Sequence, residues 1–276
     1  MKKSYLVTPN PYYTTNTLVE LLRSRAEQTP DRVAFRFLQD DDSDTLTINY
    51  AELNRQARAI GAWLESYGAK GERALLLYSP GLDYIAAFMG CLYAGVTAVP
   101  AYPPRLNRPA PRIQSIVDDS HATFALTTTA IIANVEKRFE HAPDLKALRW
   151  LNTEQVPAGL EAEWRDPNVT RDTLAFLQYT SGSTSQPKGV MLSHGNLMHN
   201  LEAISRGFHV DSTVKGVCWL PSYHDMGLIG GILEPMYLGG ETTLMSPPSF
   251  LQRPLRWLEA ITRFEGNTCG APNFAY

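Results

Sequence analysis

The sequence predicts an α/β fold: layered sheets, largely parallel, flanked by helices. Short, continuous apolar runs such as Arg73 to Tyr78 alternate with stretches of helical apolar spacing. Strands buried on both faces read as unbroken apolar runs, which is the pattern of a parallel sheet covered by helices. The composition, 44% hydrophobic and 19% charged, is that of a folded globular chain and excludes a disordered one.

The elements follow in order. Leu18, Leu21, Leu22 and Ala26 fall at helical spacing, and Thr29-Pro30-Asp31 ends that helix. Val33 to Leu38 and Thr45 to Ile48 flank the acidic turn Asp40 to Asp44 and read as a hairpin with a solvated tip. Asn49 can cap a helix carrying Leu53, Ala57, Ile60 and Leu64 on one face. Arg73 to Tyr78 is a strand, Tyr84 to Ala94 a buried helix and Val96 to Val99 a strand. Pro100 to Pro111 reads as a loop between layers. A helix resumes at Arg112 to Ser120, then a strand at Thr123 to Thr127, a helix at Ala130 to Phe139 and a strand at Leu148 to Leu151.

Glu154 to Asp172 is polar and irregular, the composition of a linker. It suggests sub-lobes 1–153 and 172–276 joined by residues 154–171. The rhythm then continues. Strands are expected at Leu174 to Tyr179, Gly216 to Leu220 and Thr242 to Met245. Helices are expected at His194 to Ser205, Met226 to Leu238 and Pro254 to Phe264, the last with Pro in its first turn.

The chain has 276 residues, enough for one large domain or two smaller ones at roughly 150 residues each. Its net charge of −3, without a basic stripe, argues against a nucleic-acid partner. Cys91, Cys218 and Cys269 are too few and scattered for a disulfide framework or zinc site, and suit a reducing cytoplasm. The start, Met1 to Leu6, has no apolar run like a secretory signal. Tyr84 to Pro104 lacks charge, but its glycines and prolines break it into a buried helix and strand, not a membrane span.

The segment richest in chemistry is Tyr179-Thr180-Ser181-Gly182-Ser183-Thr184-Ser185-Gln186-Pro187-Lys188-Gly189. It follows an expected strand. Glycines let backbone N–H groups approach a ligand, hydroxyls add donors, and Lys188 adds a positive charge. A polyphosphate needs such a set, and a flexible surface loop is the other reading of this composition. The order Lys188-Gly189 is not that of a Walker A loop, and no G-x-S-x-G elbow is present.

Thr180 to Gly189 resembles the phosphate-binding signature of the adenylate-forming superfamily, which includes acyl-CoA synthetases, peptide-synthetase adenylation domains and luciferases. Val190 to Leu197 resembles the family as well. The resemblance implies that Thr180, Ser181, Gly182, Ser183, Thr184, Lys188 and Gly189 hold the phosphates of ATP. It also implies the fold of the large N-terminal domain of these enzymes, here incomplete.

A second segment narrows the resemblance. Trp219 to Gly231 is similar to the fatty acyl-AMP ligases, as is Gly270 to Tyr276. By this likeness Tyr223, Gly227, Leu228, Gly230, Gly231, Ala271, Pro272, Asn273 and Phe274 would bind the acyl chain, and His224 would join Lys188 in the chemistry. Gly227, Gly230 and Gly231 fall at i, i+3 and i+4, one face of an α-helix. Each glycine inside a helix costs roughly 0.5–1 kcal/mol relative to alanine, so either a close-packed backbone or a ligand groove is expected there. His224 has no His or Cys at metal-ligand spacing. Apart from the family role, it reads as a partly buried, hydrogen-bonded histidine. Asp225 is expected to fix local structure.

The family chemistry is ATP-dependent activation of a fatty acid to an acyl-adenylate, with Mg²⁺ and release of pyrophosphate. The acyl group then passes to the phosphopantetheine thiol of an acyl carrier protein, while free coenzyme A is used poorly. Members of the family continue for a comparable length beyond the position of Tyr276. The adenine- and ribose-binding residues, most Mg²⁺ ligands and the C-terminal domain with its catalytic lysine would lie there. Tyr276 therefore reads as a truncation point, and little activity is expected of these residues alone. A long-chain acyl-CoA ligase and a non-catalytic acyl- or nucleotide-binding chain are the alternatives.

Overall fold

The computed structural model describes residues 15–39, 45–103, 111–136, 143–180 and 187–276. The acidic turn at Asp40–Asp44, most of the Pro-rich segment, the expected helix end at Phe139 and the loop Ser181–Gln186 lie outside these residues. The first half comprises α1 (Leu18–Gln28), β1 (Val33–Leu38), β2 (Thr45–Asn49), α2 (Tyr50–Ser66), β3 (Arg73–Leu77), α3 (Leu82–Tyr93) and β4 (Thr97–Ala101). Then come α4 (Pro111–Ser120), β5 (Phe124–Thr127), α5 (Thr129–Glu136), α6 (Pro143–Ala147) and β6 (Arg149–Asn152). The second half comprises β7 (Leu174–Thr180), β8 (Lys188–Ser193), α7 (His194–Phe208), β9 (Lys215–Cys218), a π-helical segment (Met226–Leu233), α8 (Glu234–Leu238), β10 (Glu241–Met245), α9 (Pro247–Gln252) and α10 (Leu255–Arg263).

Local chemistry starts these helices where expected. Asn49 caps α2, its side chain accepting from the Glu52 N–H at 2.8 Å. Thr17 does the same for α1, accepting from the Glu20 N–H. Ser193 and Asn196 form a reciprocal capping box at the start of α7.

Among the described residues, ten strands form two sheets. The smaller has the order β2-β1-β10-β9 and the larger β6-β5-β3-β4-β7-β8. Only the hairpins β1/β2 and β7/β8 are antiparallel; every other pairing is parallel. Alternation along β3 shows how the layers stack. Ala74 and Leu76 join the main core with α1, α2, α3 and α7, while Leu75 and Leu77 join a second core with Ile113, Ile116 and Val117 of α4. A third core, built on Val217, Met245, Phe250 and Trp257, covers the far side of the smaller sheet. The layers therefore run helix, small sheet, helix, large sheet, helix.

Two expectations need correction. Pro100 belongs to β4, opposite Leu76 of β3, and does not open the loop. A proline N cannot donate, and pairing from β4 to β7 is confined to Ala98 with Phe176. Residues 154–171 are also no free linker. The Trp164 indole donates to the Tyr93 carbonyl at 2.8 Å, its ring lies 5.1 Å from that of Tyr93, and Asp166 pairs with Arg23 at 2.6 Å. Each sheet draws strands from both sides of this segment. One large ring amid polar neighbours anchors what composition alone marks as a spacer. No helix of the described residues is long and apolar enough to cross a membrane.

Candidate active site

In an open parallel sheet, ligands gather beyond the carboxyl ends of the strands. In the larger sheet that edge carries Tyr78 after β3, Tyr102 after β4 and Thr180 at the end of β7. The β7–β8 hairpin sets Thr180 directly opposite Lys188, and Tyr179 opposite Gly189. The expected phosphate loop is thus the connection of a hairpin whose two ends are held in register. Thr180 and Lys188 are both exposed at its base. Ser181, Gly182, Ser183 and Thr184 lie outside the described residues.

Gly189 has a steric reason. A Cβ there would come within 2.9 Å of the Tyr179 ring. That ring is held in turn by its hydroxyl, which donates to Asp119 of α4 at 2.5 Å. Burial and the Asp119 carboxylate both push the Tyr179 hydroxyl pKa well above its ordinary value, so the phenol stays a donor.

The segment from Trp219 to Asp225 leaves the smaller sheet and crosses to this same edge. The Tyr223 ring meets that of Tyr102 edge-on at 5.2 Å. The Gln178 amide, two residues before the loop on β7, donates to the Tyr223 carbonyl at 3.1 Å. The Tyr84 hydroxyl of α3 donates to the Ser222 carbonyl at 2.8 Å. His224, directly after Tyr223, has an exposed side chain with Nδ1 at 2.6 Å from Asp225 Oδ1. An ionised carboxylate only accepts, so Nδ1 carries the proton and Nε2 is left available. Asp225 also accepts from the Met226 N–H at 2.6 Å, fixing the start of the helix.

That helix is where expectation and structure differ most. Met226–Leu233 is π-helical, not α-helical. The wider turn of i→i+5 bonding keeps Gly227 and Gly231 on a common, buried side and turns Gly230 away from them. A Cβ on Gly227 would collide with the Pro221 carbonyl, and one on Gly231 would lie 2.7 Å from Cys218 Sγ. These two glycines serve close protein packing. Gly230 is exposed, and a Cβ there would meet nothing within 4 Å. Leu228 is fully buried in the main core. Of the helical residues expected along the acyl chain, Gly230 is the one that faces open space.

The segment from Ala271 to Phe274 lies beside the same helix. A Cβ on Gly270 would contact Met226 Cε at 3.2 Å, and Phe274 is an exposed ring 5.9 Å from Trp219. Ala271 packs against the core around Trp219, whose ring stacks on Phe250 at 3.9 Å. Pro272 caps the short turn Asn273–Ala275. The cavities of about 330 and 280 Å³ described by the structure lie elsewhere, beside Trp164 and beside Asp166. Among the described residues no group of three His, Cys, Asp or Glu could hold a metal ion.

Gln178 and Tyr84 were not singled out by the sequence. A polar residue inside the apolar run Leu174 to Tyr179 was the available signal for Gln178. Nothing marked the Tyr84 hydroxyl.

The family described as AMP-binding enzyme matches residues 22–275. The chain belongs to the AMP-binding enzymes. It is 42% identical over 265 residues to a medium-chain-fatty-acid–[acyl-carrier-protein] ligase of Moorena producens, covering 95% of this chain and 45% of that protein. It is 37% identical to a long-chain-fatty-acid–AMP ligase of Mycolicibacterium smegmatis, covering 89% of this chain and 40% of the relative. Among solved structures, the fatty acyl-adenylate ligase of Legionella pneumophila in complex with acyl adenylate and pyrophosphate superposes with a TM-score of 0.90 at 41% identity. That alignment covers 96% of this chain and 46% of the solved one. The chain thus spans less than half the length of the relatives it matches, and shares the α/β layering of an adenylate-forming N-terminal domain.

Proposed function

We propose that this AMP-binding chain carries the phosphate-binding and part of the acyl-binding face of a fatty acyl-AMP ligase. The reaction joins a medium- or long-chain fatty acid to AMP. A carboxylate oxygen attacks the α-phosphorus of ATP, the bond to the β-phosphate oxygen breaks, and pyrophosphate leaves. The resulting mixed anhydride passes its acyl group to a phosphopantetheine thiol of an acyl carrier protein, and AMP departs. The observation that carries this reading is the hairpin register that sets Thr180 and Lys188 abreast, on the strand whose Gln178 holds the segment of His224.

In this reading Lys188, Thr180, Gly189 and the loop residues Ser181 to Thr184 bind the phosphates and stabilise the charge on the leaving pyrophosphate. His224 stands where carboxylate and α-phosphate meet, with Nε2 free because Asp225 engages Nδ1. The acyl chain lies along the open side at Gly230, Tyr223 and Phe274. Catalysis is then mostly positioning and charge stabilisation. Mg²⁺ would accompany the nucleotide phosphates. The described residues offer it no carboxylate cluster. The three free cysteines suit a reducing cytoplasm.

The test is acyl-adenylate formation by the natural polypeptide that contains these residues, supplied with ATP, Mg²⁺ and fatty acids of graded length. Coenzyme A and a holo-acyl carrier protein are then offered as acceptors. Adenylate formation with transfer to the carrier supports the reading. Efficient thioester formation on coenzyme A would replace it with an acyl-CoA ligase. Binding of ATP or fatty acid without any adenylate would replace it with a non-catalytic binder.

A further inference from the structure

Segment 219–225 leaves the smaller sheet, yet its side chains must act on a ligand held at the end of the larger one. Nothing in the chain's covalent order ties the two together, because β8, α7 and β9 separate Gln178 from Tyr223. What joins them is a pair of partly buried hydrogen bonds to adjacent carbonyls. The Tyr84 hydroxyl donates to Ser222 and the Gln178 amide to Tyr223.

Both donors are rigidly placed. Tyr84 is buried, stacks on Phe88 with centroids 6.3 Å apart, and meets Tyr78 edge-on at 6.3 Å. Gln178 is buried on a strand paired on both sides within the larger sheet. Its Oε1 is buried and has no partner among the described residues. The amide orientation is therefore set by the Tyr223 carbonyl alone, since the flipped amide would point oxygen at oxygen. An amide buried in an apolar strand with half its capacity unused destabilises the fold. A hydrophobic residue would serve packing better at that place. The amide is explained by what it holds.

We infer that Gln178 and Tyr84 are positioning residues, which together fix the His224 segment against the phosphate-binding strand so that carboxylate and α-phosphate meet in one geometry. The inference rests on the adenylate-forming reading of this site. Neither side chain touches the reacting atoms. They act through two main-chain carbonyls, and a shift of about 1 Å in such a segment can cost on the order of 10²-fold in rate.

The experiment uses the natural polypeptide with Tyr84→Phe, Gln178→Met and Gln178→Glu, following adenylate formation by pyrophosphate release and folding by thermal melting. Tyr84→Phe removes a single oxygen, and Gln178→Met keeps length while removing the amide. The expected result is a fall in kcat of about tenfold for Gln178→Met and a few-fold for Tyr84→Phe, with KM for ATP within about twofold. Gln178→Glu can donate to Tyr223 only when protonated. Its kcat relative to the unaltered protein should rise as pH falls, a dependence Gln178→Met should lack. Folded Tyr84→Phe and Gln178→Met proteins with kcat within twofold of the unaltered enzyme would overturn the inference. If Gln178→Met fails to fold, Tyr84→Phe decides alone by the same criterion. No adenylate from the unaltered polypeptide would instead overturn the functional reading, and this inference with it.

Discussion

Thr180 and Lys188 stand opposite one another across the β7–β8 hairpin, as the last residue of one strand and the first of the next. The two ends of this connection are held by strand pairing, and so is Lys188, the cation at its base. Lys188→Ala should lower adenylate formation roughly 10- to 10²-fold, the worth of a charge-assisted hydrogen bond of about 1.5–3 kcal/mol. Because Lys188 is exposed, stability should move by no more than about 0.5 kcal/mol. Fatty-acid-dependent pyrophosphate release and a melting curve check both halves. Undiminished adenylate formation would sink the assignment of the loop.

The glycines of the π-helix should behave in opposite ways. Gly227→Ala forces a methyl into the Pro221 carbonyl and should destabilise the protein by about 1–3 kcal/mol. Gly230→Ala meets open space and should hold or raise stability by up to about 1 kcal/mol. If the acyl chain passes Gly230, that same variant should weaken use of fatty acids while leaving ATP binding intact. Chemical denaturation of the two variants, with KM for the fatty acid, tests the contrast. Equal loss of stability in both would show that the two faces are not distinct.

His194 couples acid pH to stability. It is buried, its Nδ1 accepts the Leu18 N–H at 3.2 Å, and burial lowers its pKa to about 4. In the unfolded chain an imidazole titrates near 6.5. The folded value is the lower one, so the unfolded state binds the proton first. The contribution is fully present above about pH 6.5, declines as pH falls, and is gone near pH 4. Its upper limit is about 3 kcal/mol. Urea titrations at pH 7 and pH 4.5 should show this loss, and His194→Asn should flatten it. An unchanged pH dependence in that variant would refute the coupling.

His224 and Asp225 should differ in weight. His224→Ala removes the group proposed to stand where carboxylate and α-phosphate meet and should lower kcat on the order of 10²-fold. Asp225→Asn keeps an oxygen for the Met226 N–H and for Nδ1 of His224, losing only charge. It should cost less, about tenfold or under. Single-turnover adenylate formation measures both, and a larger loss from Asp225→Asn would reverse the assigned roles.

Much of this molecule was legible where local chemistry decides structure. The apolar runs became parallel strands, and Asn49 capped the helix it precedes. Longer-range features were hidden. The apolar spacing of Met226 to Leu238 fits an α-helix. The π-helical turn sets Gly227 against Pro221 and Gly231 against Cys218, partners six and thirteen residues away and outside the i, i+3, i+4 pattern. Trp164 defeated the linker reading because composition averages away one anchoring ring. Pro100 defeated a loop because a parallel strand can tolerate a missing donor where its neighbour does not pair there. In the site, the residue types of the loop and of His224 were visible, whereas the carbonyls held by Gln178 and Tyr84 depend on a crossing between sheets.

The pairing of β1 with β10 has a consequence for how the chain comes into being. Phe35 to Leu38 must wait for Thr242 to Met245, which emerge roughly 200 residues later. At about 5–20 residues per second a ribosome needs roughly 10–40 s to supply that partner. Through that interval the inner edge of the β1–β2 hairpin is an open ladder, with Phe35 and its neighbours uncovered. Birth of this protein therefore passes through a long, adhesive adolescence, during which a chaperone that shields strand edges should raise the yield of folded chains.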